Sequence, residues 1–270
     1  MDSNPADRAH VALQAASAGA TVAATSFRTG ISVETKTSKS DLVTEADRDA
    51  QRAVVARIRE SYANEAIVAE EDGGDGRLPE SGSFWIVDPI DGTANFVRGV
   101  RTFCTAVAGV AGGSTVASAL VFPALSDTYV LSDGQALLNG ETLSVSDRSD
   151  PAICTVSPTL WWNRERREEY SRACRAIVHR FGDLRRVGCA QAELAMVASG
   201  ALDATLANVV AYPWDTVAGV ALVRAAGGVV TDLEGDTWQP DSEGLVASNG
   251  EIHDDALDAA RAIDAPDGGR

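Results

Sequence analysis

The sequence predicts a mixed fold, with an α+β half over residues 1–142 and an α/β half over residues 143–270. Between Phe103 and Val145, apolar stretches are separated by glycine-containing turns, which is the pattern of an antiparallel meander. Beyond that meander, short apolar segments alternate with segments of helical periodicity, as strands and helices do in an α/β unit. Since no linker-like stretch separates the two halves, we expect them to pack closely together.

The N-terminal half begins with two predicted helices. Residues 5–27 are rich in alanine and have helical periodicity. In residues 45–61, small or apolar side chains recur every four positions and charged side chains fill the opposite face, which predicts an amphipathic helix. Two short apolar strands, 66–69 and 84–87, each lead directly into acidic residues. The predicted meander follows at 103–145.

The C-terminal half is predicted from alternating strands and helices. The predicted strands are 153–157, 184–188, 203–207 and 229–233. The predicted helices are 163–181, 190–199, 214–226 and about 251–263. This order supports the α/β assignment of the second half.

Composition and charge exclude several classes of function. The formal net charge is −16, which repels nucleic acid backbones and anionic membranes, so we expect neither as a partner. No apolar run approaches the ~20 residues of a membrane-spanning helix. The N-terminal segment is acidic and lacks the apolar core of a secretory signal, so a cytoplasmic protein is expected.

The cysteines and histidines do not form a recognisable metal motif. The four cysteines occur in no CxxC pair, so reduced, buried thiols are predicted rather than zinc ligands or a disulfide framework. The three histidines lie far apart in the sequence, which argues against histidine as a metal ligand or general base.

Four groups of acidic residues lie where a predicted element ends or a helix begins. They are Asp41 with Asp47, Glu70 with Glu71, Asp88 with Asp91, and Asp215. Carboxylates at strand ends can converge on one cleft, and hard cations such as Mg²⁺ prefer oxygen ligands of this kind. In so acidic a chain, any one pair is equally well explained as surface charge.

The segment around Asp88 indicates more than surface charge. Pro89 and Gly92 require a tight turn directly after a strand, so Asp88 and Asp91 can face one ion while the carbonyl group of Ile90 turns inward. The next residues, Gly92 onward, begin a turn whose backbone N–H groups can bind an anion. Acidic ligands followed at once by phosphate-binding amides are what phosphoryl transfer requires.

The segment W85-IVDPIDGTANF-96 resembles the WxVDPIDGTxNF motif of the inositol monophosphatase family. Three further motifs occur in the family's order. They are D41-LVTEAD-47, similar to DxVTxxD; A69-EE-71, similar to GEE with Ala for Gly; and P213-WDTVAGVALVRAAGG-228, similar to WDxAAGxxLxxEAGG. The four motifs together cover most of the chain.

This resemblance implies a layered αβαβα sandwich of the sugar-phosphatase type, within a superfamily of magnesium-dependent, lithium-sensitive phosphatases. It implies an enzyme that hydrolyses a small sugar or polyol phosphate, of the inositol 1-phosphate type, with water activated by metal. The 1–142 half would carry most of the metal ligands, and the 143–270 half would carry Asp215 and the substrate-lining residues. Because family members are commonly dimers, a homodimer is also implied.

The resemblance further implies the metal ligands. Glu70, Asp88 and the carbonyl group of Ile90 would hold one Mg²⁺, and Asp88, Asp91 and Asp215 would hold a second. The family often keeps a lysine at the position of Lys36, in a mobile loop with a third, weaker site. Two or three Mg²⁺ ions are therefore implied.

Catalytic and substrate-binding roles follow from the same resemblance. Glu70 and Thr93 would position and activate the attacking water, and Asp47 would orient Thr93 by a hydrogen bond. The implied substrate-binding residues are Asp91, Gly92, Thr93, Ala190, Asn208 and Asp215.

Three positions depart from the family pattern. Asn208 stands where inositol-specific members usually carry a glutamate that accepts hydrogen bonds from the substrate, so strict specificity for inositol 1-phosphate is not predicted. Cys189 replaces the usual Ser or Thr, and Ala225 replaces a glutamate. Fructose 1,6-bisphosphate is the main alternative substrate. Nucleotide 3′-phosphates, histidinol phosphate, NADP and a purely regulatory binding role are further alternatives.

Overall fold

The computed structural model of the chain describes residues 4–29, 33–35, 42–160 and 162–264. Seven α-helices occur in this part of the chain. They are α1 Pro5–Ser26, α2 Glu45–Ser61, α3 Thr93–Val97, α4 Arg167–Arg180, α5 Ala190–Ala198, α6 Pro213–Ala225 and α7 His253–Arg261. The strands of the first half are β1 Val33–Thr35, β2 Leu42–Thr44, β3 Ala66–Ala69, β4 Phe84–Asp91, β5 Cys104–Ala111, β6 Ser114–Phe122, β7 Asp127–Ser132, β8 Gln135–Leu138 and β9 Glu141–Thr142. The strands of the second half are β10 Thr155–Pro158, β11 Asp183–Leu184, β12 Ala204–Ala207, β13 Val229–Thr231 and β14 Leu245–Ser248.

The strands β3 to β9 form a seven-stranded sheet in which sequence neighbours are also neighbours in space. β3 and β4 are parallel, and every later pair in this sheet is antiparallel. The predicted meander is therefore confirmed. Glycine turns between its strands permit the short antiparallel connections.

Both faces of this sheet are covered. In β4, Trp85 and Val87 pack with α1 and α2, whereas Phe84 and Ile86 pack with residues of α5 and α6. All eight residues of β4 are consequently buried. A strand that is covered on both faces reads as a continuous apolar run, as the sequence before Asp88 does.

The second half contains a five-stranded sheet in the order β11-β10-β12-β14-β13. α5 and α6 lie between this sheet and the seven-stranded one, and α4 and α7 contact its strands β10, β12 and β14. The layers thus run α1/α2, sheet, α5/α6, sheet, α4/α7. The layered αβαβα sandwich implied by the resemblance is confirmed.

The central helix layer is tightly packed where α5 meets α6. A Cβ atom at Gly219 would lie only 2.6 Å from Cβ of Leu194 and 2.8 Å from Oε1 of Gln191, so only glycine fits between the helices. Gln191 also accepts a hydrogen bond from the N–H of Gly219 at 2.8 Å and donates one to the carbonyl group of Trp214 at 2.7 Å. These contacts fix the first two turns of α6 relative to α5.

Two local predictions in the second half were wrong. The predicted strand 184–188 is reduced to Asp183–Leu184, because the N–H groups of Val187 and Gly188 donate to a glutamate side chain instead of to a neighbouring strand. The strand Leu245–Ser248 was not predicted.

The predicted division at residue 142 falls between the two sheets, but one cluster of apolar side chains joins elements of both halves. The division stays a prediction. None of the helices in the described part of the chain combines the length and the hydropathy of a membrane span.

Candidate active site

The site is built on an irregularity at the end of β4. Asp88 pairs with Ala106 and Asp91 pairs with Cys104, so the register with β5 shifts between the two acids. The hydroxyl group of Thr105 donates to the carbonyl group of Pro89, within this irregularity, at 2.7 Å. Such a bulge re-aims side chains, and it allows two acids three positions apart to face one point.

Three carboxyl groups converge at this point. One oxygen from each of Asp88, Asp91 and Asp215 lies within 4.8 Å of the others. Asp88 and Asp91 are buried, and Asp215 is partly exposed in the first turn of α6. Pro213 begins that helix, since its fixed φ angle suits the first helical position. The helix brings Asp215 from a distant part of the chain to the end of β4.

The electrostatics of this group favour a cation. Burial raises the pKa of Asp88 well above its ordinary value, and the charges of Glu70 and Asp91 raise it further. Asp88 Oδ1 is buried and has no hydrogen-bond partner among the described residues. An all-oxygen donor set with an unsatisfied carboxylate fits a hard divalent cation. Glu70 lies in a short 3₁₀ turn, Glu70–Asp72, at the end of β3.

Asp91 is held by the N-terminus of α5. Its carboxylate accepts hydrogen bonds from the backbone N–H of Gln191 at 2.6 Å, the N–H of Ala190 at 3.3 Å and the thiol of Cys189 at 2.9 Å. Burial raises the pKa of Asp91 to about 6, although the hydrogen bonds from Cys189 and Gln191 act in the opposite direction. A carboxylate at this position also interacts favourably with the helix dipole.

Thr93 and Asp47 are brought together as the resemblance implies. The hydroxyl group of Thr93 lies 3.3 Å from Asp47 Oδ1 and 3.0 Å from the carbonyl oxygen of Ile90. Asp47 Oδ2 accepts the N–H of Thr44 at 2.8 Å and its hydroxyl group at 2.6 Å, which fixes the carboxylate. Burial raises the pKa of Asp47 to about 6, the hydrogen bonds from Thr44 oppose the rise, and the charge of Glu71 adds to it.

Gly92 connects the acids to the candidate phosphate-binding amides. Its φ angle of +85° lies in the left-handed region, and a Cβ atom there would come within 3.1 Å of both Cys189 Cβ and the carbonyl oxygen of Thr102. Only glycine makes this turn without strain. The turn starts α3, whose first N–H groups have no partner within the helix and can bind an anion.

The structure does not leave Asn208 free for substrate. Its side chain is buried, with 2% exposed, and it accepts a hydrogen bond from Trp162 Nε1 at 2.7 Å. It donates to Glu169 and to Asp264, each at 2.6 Å. The implied substrate contact of Asn208 is therefore not supported by the observed contacts. Trp162 packs internally, stacked on Tyr170.

Sequence reasoning missed Glu193, which organises the loop before α5. The residue is fully buried, and its Oε1 accepts hydrogen bonds from Ser157, Val187 and Gly188 and forms an ion pair with Arg186 at 3.0 Å. An acidic residue inside an otherwise apolar helix was the available signal, because buried charges need a partner.

Asn95 was missed as well. Its side-chain amide donates to the carbonyl groups of Thr102 at 2.8 Å and Val187 at 2.9 Å, and so joins the two halves beside the site. Lys36 and Asp41 lie outside the described residues.

A comparison with protein-family models matches residues 4–265 to the inositol monophosphatase family. The chain belongs to this family. The motifs and the site geometry described above agree with that membership, and the chain is accordingly a phosphoric monoester hydrolase.

Curated relatives support the same conclusion. A protein named fructose-1,6-bisphosphatase/inositol-1-monophosphatase from Thermotoga maritima is 34% identical and covers 88% of this chain and 90% of its own length. A protein named Nus factor SuhB from Pseudomonas aeruginosa is 34% identical over 81% of this chain and 82% of its own. Among solved structures, an inositol monophosphatase (IMPase) from Thermotoga maritima superposes with a TM-score of 0.86, at 31% identity over 95% of this chain and 98% of that one.

Proposed function

We propose that the chain hydrolyses phosphate monoesters of small sugars or polyols, with Mg²⁺ held by Asp88, Asp91 and Asp215. The observation that carries the proposal is the convergence of these three carboxylates within 4.8 Å, directly before the Gly92 turn. Acidic ligands beside exposed amides suit a dianionic phosphate bridged by cations. Glu70 and the carbonyl group of Ile90 complete the proposed ligand set.

Bound Mg²⁺ would neutralise charge on the phosphoryl oxygens and make water more acidic, which removes the need for a histidine base. The chain's residues supply the remaining requirements. The N–H groups at the start of α3 bind the phosphate, and Asp91 and Asp215 hold the leaving-group side. Glu70, at the edge of the acidic group, accepts the proton of the attacking water.

Thr93 positions that water through its hydroxyl group. Its single proton is directed to the carbonyl oxygen of Ile90 at 3.0 Å or to Asp47 Oδ1 at 3.3 Å, so the hydroxyl lone pairs face the site. Asp47 cannot rotate because Thr44 holds its second oxygen. We infer that the pair fixes the angle of attack, which is worth several kcal/mol when the geometry is maintained.

The substrate class rests on the relatives and on the Asn208 network. The Thermotoga maritima relative is named for both fructose 1,6-bisphosphate and inositol 1-phosphate hydrolysis. Because the side chain of Asn208 is committed to Trp162, Glu169 and Asp264, no charged acceptor at this position selects inositol hydroxyl groups. We therefore propose a broad sugar-phosphate and polyol-phosphate activity, with fructose 1,6-bisphosphate as the second candidate substrate.

The proposal is tested with a phosphatase panel in the presence of Mg²⁺. The substrates are inositol 1-phosphate, fructose 1,6-bisphosphate, phosphoadenosine phosphate, histidinol phosphate and NADP. We expect turnover of the first two, and loss of that turnover by at least about 10²-fold in Asp88→Asn and Thr93→Ala. Asp133→Asn and Thr115→Ala, which lie in hairpins of the seven-stranded sheet, are matched controls that should retain activity. Wild-type rates in the two site variants would refute the assignment.

A regulatory binding role is the alternative from another class of function. The name Nus factor belongs to the Pseudomonas aeruginosa relative and to similar proteins. Retention of Asp88, Asp91, Asp215 and the Asp47–Thr93 pair in one site favours catalysis for this chain. We also propose a homodimer and two or three Mg²⁺ ions per site; sedimentation and metal titration test these points directly.

A further inference from the structure

A second group of potential ligand atoms adjoins the carboxylate of Asp91. The thiol sulfurs of Cys104 and Cys189 and one oxygen of Asp91 all lie within 4.8 Å of one another. Cys189 Sγ is 2.9 Å from Asp91 Oδ2 and 3.6 Å from the carbonyl oxygen of Asp91. We refer to Cys104, Cys189 and Asp91 together as the Cys–Asp cluster.

The Cys–Asp cluster is fixed by three separate elements. Cys104 begins β5 and is the register partner of Asp91 in β4. Cys189 is the N-cap of α5, beside the left-handed turn at Gly92. Cys104 and Cys189 have 0% and 2% of their surfaces exposed, and Asp91 has 7%. Sheet, helix and turn therefore hold both sulfurs against one carboxylate in a site that excludes bulk water.

The donor chemistry of the Cys–Asp cluster differs from that of the acidic group beside it, which consists of Asp88, Asp91 and Asp215. Mg²⁺ takes oxygen ligands and does not take thiols, whereas soft thiolates select Zn²⁺ and similar cations. Zinc–sulfur and zinc–oxygen bonds of roughly 2.3 and 2.1 Å place tetrahedral donor atoms within about 4 Å of one another. The three donor atoms, all within 4.8 Å of one another, lie close to this spacing.

Without a bound cation, the Cys–Asp cluster is compatible with catalysis. Burial raises the pKa of Cys189 well above its ordinary value, and burial also raises the pKa of Cys104. Cys189 donates a hydrogen bond to Asp91 Oδ2 at 2.9 Å, as a serine at this position would.

We propose that Cys104, Cys189 and Asp91 form an inhibitory site for a thiophilic divalent cation, of which Zn²⁺ is the representative. On binding, the two S–H bonds break and their protons pass to solvent, while two metal–sulfur bonds and one metal–oxygen bond form. No electrons are transferred. A water molecule or the carbonyl oxygen of Asp91 fills the fourth position of the cation.

Inhibition follows because Asp91 is shared. A cation held by the Cys–Asp cluster withdraws an oxygen of Asp91 from the acidic group. It also competes with the hydrogen bond that the N–H of Gln191 donates to Asp91. Binding of a thiophilic cation by the Cys–Asp cluster and binding of Mg²⁺ by Asp88, Asp91 and Asp215 should therefore oppose each other. This inhibitory effect rests on the proposed function, whereas cation binding itself does not.

Binding is tested on the full-length protein without substrate, with Cd²⁺ as the probe. Cadmium bound to thiolates gives a charge-transfer absorption in the ultraviolet, and cadmium bound only to carboxylates does not. We expect this absorption to saturate at one equivalent in the native chain and in Cys154→Ser, a matched control whose buried thiol lies outside the Cys–Asp cluster. Cys189→Ser and Cys104→Ala should bind Cd²⁺ at least about tenfold more weakly and with a reduced absorption.

Inhibition by Zn²⁺ is then measured at several Mg²⁺ concentrations, with each variant normalised to its own uninhibited rate. We expect the inhibition constant to rise at least about tenfold in Cys189→Ser and to stay unchanged in Cys154→Ser. Equal inhibition of every variant, or Cd²⁺ binding without thiolate absorption, would place the cation on the acidic group and overturn the proposal. A protein that shows the cadmium–thiolate absorption but hydrolyses no substrate would refute the proposed function and leave the Cys–Asp cluster as a cation site.

Discussion

The hydroxyl group of Thr93 lies 3.3 Å from Oδ1 of Asp47, a residue that precedes it by 46 positions. Oδ2 of the same carboxylate accepts both the N–H and the hydroxyl group of Thr44. One aspartate therefore caps the N-terminus of α2 and orients the hydroxyl group that faces the acidic site. Because the two oxygens have separate tasks, a change at this position affects catalysis and helix stability through different atoms.

Asp47→Asn separates these tasks. The amide has only one acceptor oxygen, so it can serve Thr44 or Thr93 but not both. We expect kcat to fall by about 10²-fold with little change in KM, since Thr93 would lose its orientation and not its place in the site. Steady-state kinetics at saturating Mg²⁺ would measure this. Asp49→Asn, at an exposed position in the same helix, is the control; equal kcat values in the two variants would contradict the role of Asp47.

The buried carboxyl groups predict an unusual pH dependence for the metal-free protein. The pKa values of Asp47 and Asp91 are raised from 3.8 to about 6 in the folded chain. A raised folded pKa gives stability that is complete below the unfolded pKa and is lost as pH rises through the folded value. With a chelator present, the free energy of unfolding should therefore decrease between about pH 5 and about pH 8, by about 1.4 kcal/mol per carboxyl group.

Urea unfolding at the two pH values, with chelator and with Mg²⁺, checks this expectation. Mg²⁺ should stabilise the protein more at the higher pH, because the ionised carboxylates are its ligands. Asp88→Asn removes one of the mutually repelling charges, so its metal-free form should be more stable than the native chain at about pH 8. A metal-free stability that rises with pH would show that the carboxyl groups are not raised in pKa.

Glu193 should be essential for stability. Glu193→Ala leaves Arg186 without its carboxylate and removes the acceptor for the hydroxyl group of Ser157 and two backbone N–H groups. Loss of one partner from a buried ion pair costs about 3–5 kcal/mol. Glu193→Gln keeps an acceptor and should cost less. Chemical denaturation measures both, with Glu141→Ala at an exposed strand position as control.

Asn208→Glu tests whether this position contacts substrate. A glutamate here would bury a third carboxylate against Glu169 and Asp264, which now accept hydrogen bonds from Asn208. We expect a destabilisation of about 3 kcal/mol or more and no gain in kcat/KM for inositol 1-phosphate. Asn208→Ala, which loses the hydrogen bonds without adding charge, should be less harmful. A stable Asn208→Glu variant with improved inositol phosphate turnover would show that the side chain reaches the substrate.

The parts of the fold that were predictable are those encoded by local pattern. The helices α1 and α2, the meander and the placement of Asp88 and Asp91 at a strand end follow from periodicity and turn residues within a few positions of each other. The network around Asn208 was not predictable, because its partners stand 39 to 56 positions away. The end of the predicted strand after Leu184 has a different cause. The N–H groups of Val187 and Gly188 donate to the side chain of Glu193, only five or six positions further along the chain, and hydrophobic periodicity does not reveal such a contact.

The carboxylate of Asp91 belongs to the seven-stranded sheet, yet its hydrogen-bond donors belong to a helix packed against the five-stranded one. A chain whose halves have not yet docked possesses every acidic residue but not the arrangement that concentrates them. Catalytic activity therefore serves as an assay for complete tertiary assembly. A split or circularly permuted version of the protein that regains turnover must have rebuilt this contact, whatever else of the native connectivity it has lost.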